Sequence, residues 1–103
     1  MSLINQIKLN MLKFNAQNID ELHEECMSRS NEISLATVKS IVFACENNLE
    51  EASIGSAENL NIDITCKRDS FIKSLEINIP RCLEMEEYEL VINAKDCIDK
   101  LNN

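Results

Sequence analysis

The sequence predicts an all-α fold, a compact bundle of four to six helices that forms a single domain over residues 1–103 and ends in a helical hairpin. Its 103 residues include one Gly and one Pro, and β-rich folds need many more turn residues than that. Apolar residues recur at helical spacing in most segments of the chain. A hydrophobic fraction of 45% is sufficient for one modest core in a chain of this length.

Two helices are predicted in the first 30 residues. The first covers residues 2–14, where Ser2 can act as the N-cap and the apolar residues form a helical stripe. The second begins at Asn18, because Glu21 follows it at the capping-box spacing. It ends near Arg29, whose positive charge suits a helix C-terminus.

The middle of the chain is predicted to contain a strongly apolar third helix and a weaker fourth one. The third follows residues 30–34, ends before Asn48 and forms the centre of the core, with a short buried strand at residues 40–43 as the alternative. Asn48 then has an acidic residue three positions later and is predicted to cap the next helix. That fourth helix covers residues 49–59, although Gly55 and two serines interrupt its pattern.

Residues 60–82 allow two interpretations. Apolar residues alternate at 60–66 and again at 75–79, which is typical of two half-buried strands that would pair as a hairpin and make the fold α+β. The segment between them lacks Gly and has apolar residues at helical spacing. The preferred prediction is therefore a helix that begins at Thr65 or Asp69 and continues to Cys82, with a break or kink near Asn78 caused by Pro80.

Residues 81–101 are predicted to form the helical hairpin, with a final helix from about Tyr88 to Leu101. This segment resembles the UVR motif, a short helical hairpin first described in bacterial excision-repair nuclease subunits. The matching residues are Tyr88, Glu89, Lys95, Asp96, Ile98 and Leu101. The departures from the motif are Val91 and Ile92 at its paired alanines, and Ala94 at its usual large residue. The resemblance implies a protein-docking element without catalytic chemistry.

The net charge of −8 restricts the classes of partner. Affinity for a phosphate backbone or for an anionic membrane comes from clustered Lys and Arg, so direct binding to nucleic acid or to a membrane is not expected. A basic protein is the partner that this charge favours. A homo-oligomer is a further option, because a small apolar-rich bundle can retain helix surface for self-association.

The sequence has features typical of a cytoplasmic protein. Its first residues lack the basic and apolar regions of a signal peptide, and no apolar run reaches transmembrane length. The cysteines are odd in number, form no Cys-x-x-Cys pair and lie among apolar neighbours. We expect free thiols in a reducing compartment.

The sequence predicts no enzymatic activity, no metal and no cofactor. His23 and Cys26 have zinc-ligand spacing on one helix, but a site needs two further ligands and no second pair supplies them. The acidic residues around Cys26 disfavour its use as a nucleophile. Gly55 is the only glycine, so no Gly-rich phosphate loop exists.

The predicted function is a small acidic protein-binding module, an adaptor, an inhibitor or an immunity or antitoxin-type protein, that docks through helix faces. The candidate partner-binding residues lie in the hairpin: Tyr88, Glu84, Glu86, Glu87 and Glu89. Tyr88 is the candidate anchor because aromatic residues are enriched at binding hot spots. The alternative for Tyr88, and the commoner role, is that its ring packs on Leu83 and on Ile92 or Val91.

A nucleic-acid mimic that blocks a DNA-binding protein is the alternative function. Its carboxylates would imitate a row of phosphates, and the acids are concentrated in residues 46–63 and 84–89.

Overall fold

The computed structural model describes residues 2–103, in which the chain forms five α-helices and one three-stranded sheet. The elements in chain order are α1 (Leu3–Asn10), β1 (Leu12–Lys13), α2 (Ile19–Ser28), α3 (Ser30–Glu46), β2 (Glu51–Ala57), β3 (Ile62–Lys67), α4 (Phe71–Glu84) and α5 (Tyr88–Asn102). Short 3₁₀ turns, Glu58–Leu60 and Arg68–Ser70, flank β3. The prediction of an all-α bundle is therefore wrong, because the fold is α+β.

The sheet has the strand order β1-β2-β3. β1 runs parallel to β2, with Leu12 opposite Gly55, so α2 and α3 form the crossover that parallel pairing requires. β2 and β3 are antiparallel, and their register shifts between Ser53 and Gly55. The predicted first helix over residues 2–14 is correspondingly too long, because it ends at Asn10 and β1 follows.

Segment 51–57 is a strand and not the predicted fourth helix. A Cβ placed on Gly55 would lie 2.8 Å from Cε2 of Phe14 and 3.0 Å from the carbonyl oxygen of Leu12. The missing side chain therefore lets β1 and the buried Phe14 ring lie directly against β2. Gly55 interrupts the helical pattern of the sequence because this position belongs to a strand that pairs closely with β1.

Of the two segments with alternating apolar residues, 60–66 and 75–79, the first forms most of a strand and the second lies in a helix. Residues 62–67 form β3, but their partner is β2 and not residues 75–79. The second segment belongs to α4, where Leu75 and Ile79 are buried one turn apart and Ile77 is exposed. α4 also continues past Asn78 through Pro80, so of the predicted break or kink the break is absent. The alternative prediction of an α+β fold therefore names the correct fold class, but it pairs residues 60–66 with the wrong segment.

One core joins α3, β2, α4 and α5. Its largest fully buried apolar side chains are Val38, Ile41, Phe71, Leu75 and Cys82. α1 and α2 lie at the periphery and have no buried residue. The α4–α5 hairpin therefore has one face in the core and leaves its connecting turn at the surface.

The predicted caps of the first two helices are confirmed. Oγ of Ser2 accepts the Asn5 N–H at 3.2 Å, and Oδ1 of Asn18 accepts the Glu21 N–H at 2.9 Å. These caps need only a short polar side chain and a backbone N–H three residues later, so a local pattern is enough to predict them.

The predicted cap at Asn48 is wrong, because Asn48 lies just after α3 in a left-handed conformation (φ 55°) and Glu51 begins β2. Within residues 2–103, Asn61 (φ 52°) and Glu86 (φ 61°) are the other non-glycine residues with positive φ. Asn tolerates this conformation, whereas Glu does not favour it. The scarcity of glycine therefore reflects turns made by other residues and not the absence of turns.

Candidate functional site

The turn between α4 and α5 is a Schellman motif. The N–H of Glu86 donates to the carbonyl of Leu83 at 3.0 Å, and the N–H of Glu87 donates to the carbonyl of Cys82 at 2.9 Å. These two bonds satisfy the last carbonyls of α4 and reverse the chain within residues 85–87. The motif requires a left-handed residue at the position of Glu86.

Glu86 is an unfavourable residue for that position. A side chain with a Cβ pays roughly 1–2 kcal/mol for the left-handed conformation, which is why glycine usually occupies it. The Glu86 side chain is exposed and forms no hydrogen bond or ion pair within residues 2–103 that would offset this cost. The turn needs the left-handed conformation but does not need a glutamate in it, and strained residues cluster at functional sites, which makes Glu86 a candidate contact residue.

Three apolar side chains surround this turn and are named here the apex patch: Leu83, Tyr88 and Ile92. Tyr88 is 58% exposed and Ile92 is 60% exposed, and their i, i+4 spacing places them side by side on α5. Leu83, at the end of α4, is 41% exposed. More than half of the Tyr88 side chain is therefore accessible to a partner.

Glutamates accompany the apex patch. Residues 84–89 contain four glutamates and no basic residue, and none of the four forms an ion pair with another part of the described chain. Glu84, Glu86 and Glu89 are exposed, whereas Glu87 is half-buried. The structure thus gathers all five predicted binding residues at one turn, with Glu87 facing the protein more than the others.

Glu87 also acts on the thiol beneath the turn. Burial, with a smaller contribution from the Glu87 carboxylate, raises the pKa of Cys82, while Lys39 opposes the shift. The Cys82 side chain is fully buried, so it is a packing residue and not a nucleophile. The chemistry available at the turn is therefore non-covalent: an apolar contact and a negative charge.

Sequence analysis did not identify Leu83 and Ile92 as binding residues. Ile92 lies four residues after Tyr88 and outside the stripe that α5 buries, in which Val91 and Ala94 face the core. That spacing was a usable signal, because an apolar residue off the buried stripe has to be exposed. The exposure of Leu83 depends on where α4 ends and is not visible in the sequence pattern.

The other sequence candidates are not brought together into a site. His23 is exposed and Cys26 is half-buried on α2. Within residues 2–103, no group of three or more His, Cys, Asp or Glu side chains is placed to hold a metal ion. The nearby Glu25 carboxylate instead accepts a hydrogen bond from Arg29 at 3.0 Å.

In the part of the chain that the structure describes, no helix is both long and apolar enough to cross a lipid bilayer. Comparison of the chain with protein-family models, with curated proteins and with solved structures gives no match.

Proposed function

We propose that this protein is a small acidic cytoplasmic protein-binding module that docks a basic partner protein at the turn of the α4–α5 hairpin. The observation that carries the proposal is the exposure of Tyr88 and Ile92 on one face of α5, beside the exposed carboxylates of Glu84, Glu86 and Glu89. Such a module serves as an adaptor, an inhibitor or an immunity or antitoxin-type protein.

The arrangement has the components of a binding hot spot. A large aromatic side chain contributes binding energy when a pocket of the partner takes it out of water, and a ring of polar groups excludes solvent around it. Tyr88 is the anchor, and two further exposed apolar residues lie near it in the hairpin: Leu83 in the last turn of α4 and Ile92 one turn further along α5. Binding does not require the turn to refold, because the Schellman motif already holds these side chains in place.

The carboxylates set the charge of the partner. Exposed rim charges change the association rate and the salt dependence of binding more than they change the final affinity. The overall charge of −8 extends the same negative field around the turn. A partner surface with an apolar pocket bordered by Lys or Arg is the best complement.

The resemblance to the UVR motif supports the same conclusion, since that motif is a docking hairpin without catalytic chemistry. Its paired small residues correspond to Val91 and Ile92, of which Val91 is buried in this protein's own core and Ile92 is exposed. Only Ile92 is available to a partner at that pair. The contact is therefore expected to involve α5 together with the turn.

The test is an affinity pull-down from the source cells at moderate salt with three forms of the protein: wild type, Tyr88→Ala and Ile19→Ala. Ile19 is a matched control, because it is 61% exposed and lies on α2, outside the hairpin. We expect wild type and Ile19→Ala to capture the same stoichiometric partner, and Tyr88→Ala to bind it at least about 30-fold more weakly. Circular dichroism should show the same helical signal in all three.

Two other outcomes would contradict the proposal. Equal capture by all three forms would place the contact elsewhere on the molecule. A DNA-binding partner that is captured at moderate salt, released when the salt is raised, and bound equally by Tyr88→Ala would instead favour the nucleic-acid mimic.

A further inference from the structure

β3 is an edge strand, hydrogen-bonded to β2 alone within the described chain. The N–H of Arg68 donates to the carbonyl of Glu50 at 2.8 Å, which sets the alternation of hydrogen bonding along the strand. Residues 62, 64 and 66 therefore direct their backbone groups toward β2. The backbone groups of Asp63, Thr65 and Lys67 point away from the sheet, where a further strand would bind them.

The side chains of β3 are suited to such an extension. Asp63, Thr65 and Lys67 are exposed on the outer face, while Ile64 and Cys66 pack toward the core on the inner face. β3 carries no proline, and the register shift of the hairpin lies on β2, so the outer edge of β3 is regular. Its two charges have opposite signs and lie symmetrically about Thr65.

This symmetry matches an antiparallel copy of the same strand. A two-fold axis at Thr65 places Asp63 opposite Lys67 of the second copy, Lys67 opposite its Asp63, and the two Thr65 residues opposite each other. In all three facing pairs the two residues can exchange backbone N–H···O=C hydrogen bonds, because the backbone groups of residues 63, 65 and 67 point outward. An axis at Asp63 or at Lys67 would bring like charges together, which disfavours those registers.

We propose that two copies of this protein pair through β3, antiparallel and centred on Thr65, to form a dimer with a continuous six-stranded sheet. Two cross-strand ion pairs between Asp63 and Lys67 fix the register of this pairing. Neither side chain forms an ion pair within residues 2–103 of its own chain, so both are free to do so.

α1 supplies the additional area that a strand pair needs, because a strand pair alone buries less surface than a stable interface. The apolar side chains of Ile4, Ile7 and Met11 line one groove together with Asp63 and Thr65. Ile4 is exposed, and α1 as a whole has no buried residue. The second copy of β3 brings its own α1 to the same face of the sheet, where these apolar side chains can be covered.

The experiment is light scattering after size exclusion, together with sedimentation equilibrium, on the pure protein from about 1 μM to about 1 mM, the range in which weak dimers form. We expect wild type to reach twice the 11.7 kDa mass of the monomer. In Lys67→Asp, the aspartate at position 67 of each copy faces Asp63 of the other. This repulsion should raise the dimer dissociation constant at least about tenfold. The double variant Asp63→Lys with Lys67→Asp restores both ion pairs and should restore the dimer.

A second pair of variants tests the backbone contact. Thr65→Pro removes an N–H that points away from β2, so it should abolish dimerisation and leave the β2–β3 pairing intact. Thr65→Val keeps the N–H and should dimerise as wild type does. A wild-type protein that remains monomeric at the highest concentration would overturn the proposal. So would a dimer that tolerates both Thr65→Pro and Lys67→Asp.

Discussion

Replacing Glu86 with glycine should stabilise this protein, even though Glu86 lies in the candidate docking site. Its φ of 61° costs a residue with a Cβ roughly 1–2 kcal/mol, and glycine removes that cost. Glycine also has more conformational freedom in the unfolded chain, which lowers the free energy of unfolding by roughly 0.5–1 kcal/mol and offsets part of this gain. The net increase in the free energy of unfolding is expected to be about 1 kcal/mol, or a rise in Tm of about 4–8 °C for a domain of this size.

Urea denaturation and thermal melts followed by circular dichroism measure this change. Glu84→Gly is the matched control, because it removes the same side chain from the helical last turn of α4 and should destabilise the protein by about 0.5–1 kcal/mol. Glu86→Ala removes the charge but keeps the Cβ, so it isolates the effect of relieving repulsion among the four glutamates. Equal stability of Glu86→Gly and Glu86→Ala would refute the reasoning, because the gain would then not come from φ.

Three further perturbations test how the fold is held together. Arg29→Ala should lower the free energy of unfolding by about 2 kcal/mol in urea titrations, because the guanidinium lies 4.9 Å from the centroid of the buried Phe14 ring and donates to two carboxylates. Gly55→Ala should cost about 2 kcal/mol in the same assay, since its Cβ would lie 2.8 Å from the Phe14 ring. Burial, together with the neighbouring thiol of Cys45, raises the pKa of Cys97 from the usual 9.0 to about 12. The unfolded chain therefore ionises first, and the free energy of unfolding should fall between pH 9.0 and about 12, by at most about 1.4 kcal/mol per pH unit.

Each of these tests has an informative control. Arg29→Lys keeps the positive charge but loses the planar guanidinium that donates to two carboxylates. It should therefore retain less than half of the stability that Arg29→Ala loses. Ser56→Ala changes a neighbouring half-buried position of β2 and should be nearly neutral. Cys97→Ala should remove its part of the alkaline slope, whereas Cys26→Ala, at a half-buried thiol on α2, should keep it. Unchanged slopes in Cys97→Ala would show that other groups cause the alkaline loss.

The errors of the sequence analysis have one physical origin, which is that strand pairing is not a local property. Segment 51–57 consists of small residues around Gly55, and only the approach of Leu12 and Phe14 explains why no side chain is tolerated there. Residues 62–67 alternate clearly, but alternation does not name the partner strand, and the partner proved to be β2. The equally clear alternation at 75–79 belongs to a helix that leaves Ile77 exposed.

The residue types of the candidate site were predictable from the sequence, but the backbone conformation of its turn was not. The glutamates at 84–89 and Tyr88 follow directly from the sequence, because a run of acids next to an aromatic residue needs no tertiary information. The left-handed conformation of Glu86 depends on how tightly α5 turns back on α4, and a sequence position with Glu gives no sign of it.

The amino-acid sequence by itself determined the local features: the caps at Ser2 and Asn18, the apolar stripe of α3, the final helix from Tyr88 and the acidic turn before it. These depend on contacts within a few residues, where side-chain chemistry and helical spacing decide the outcome. The tertiary structure alone decided that 51–57 pairs with both 12–13 and 62–67, and that β3 is left at an open edge. The reason is that hydrogen bonds between strands join residues distant in sequence, and their formation depends on which surfaces the helices leave free.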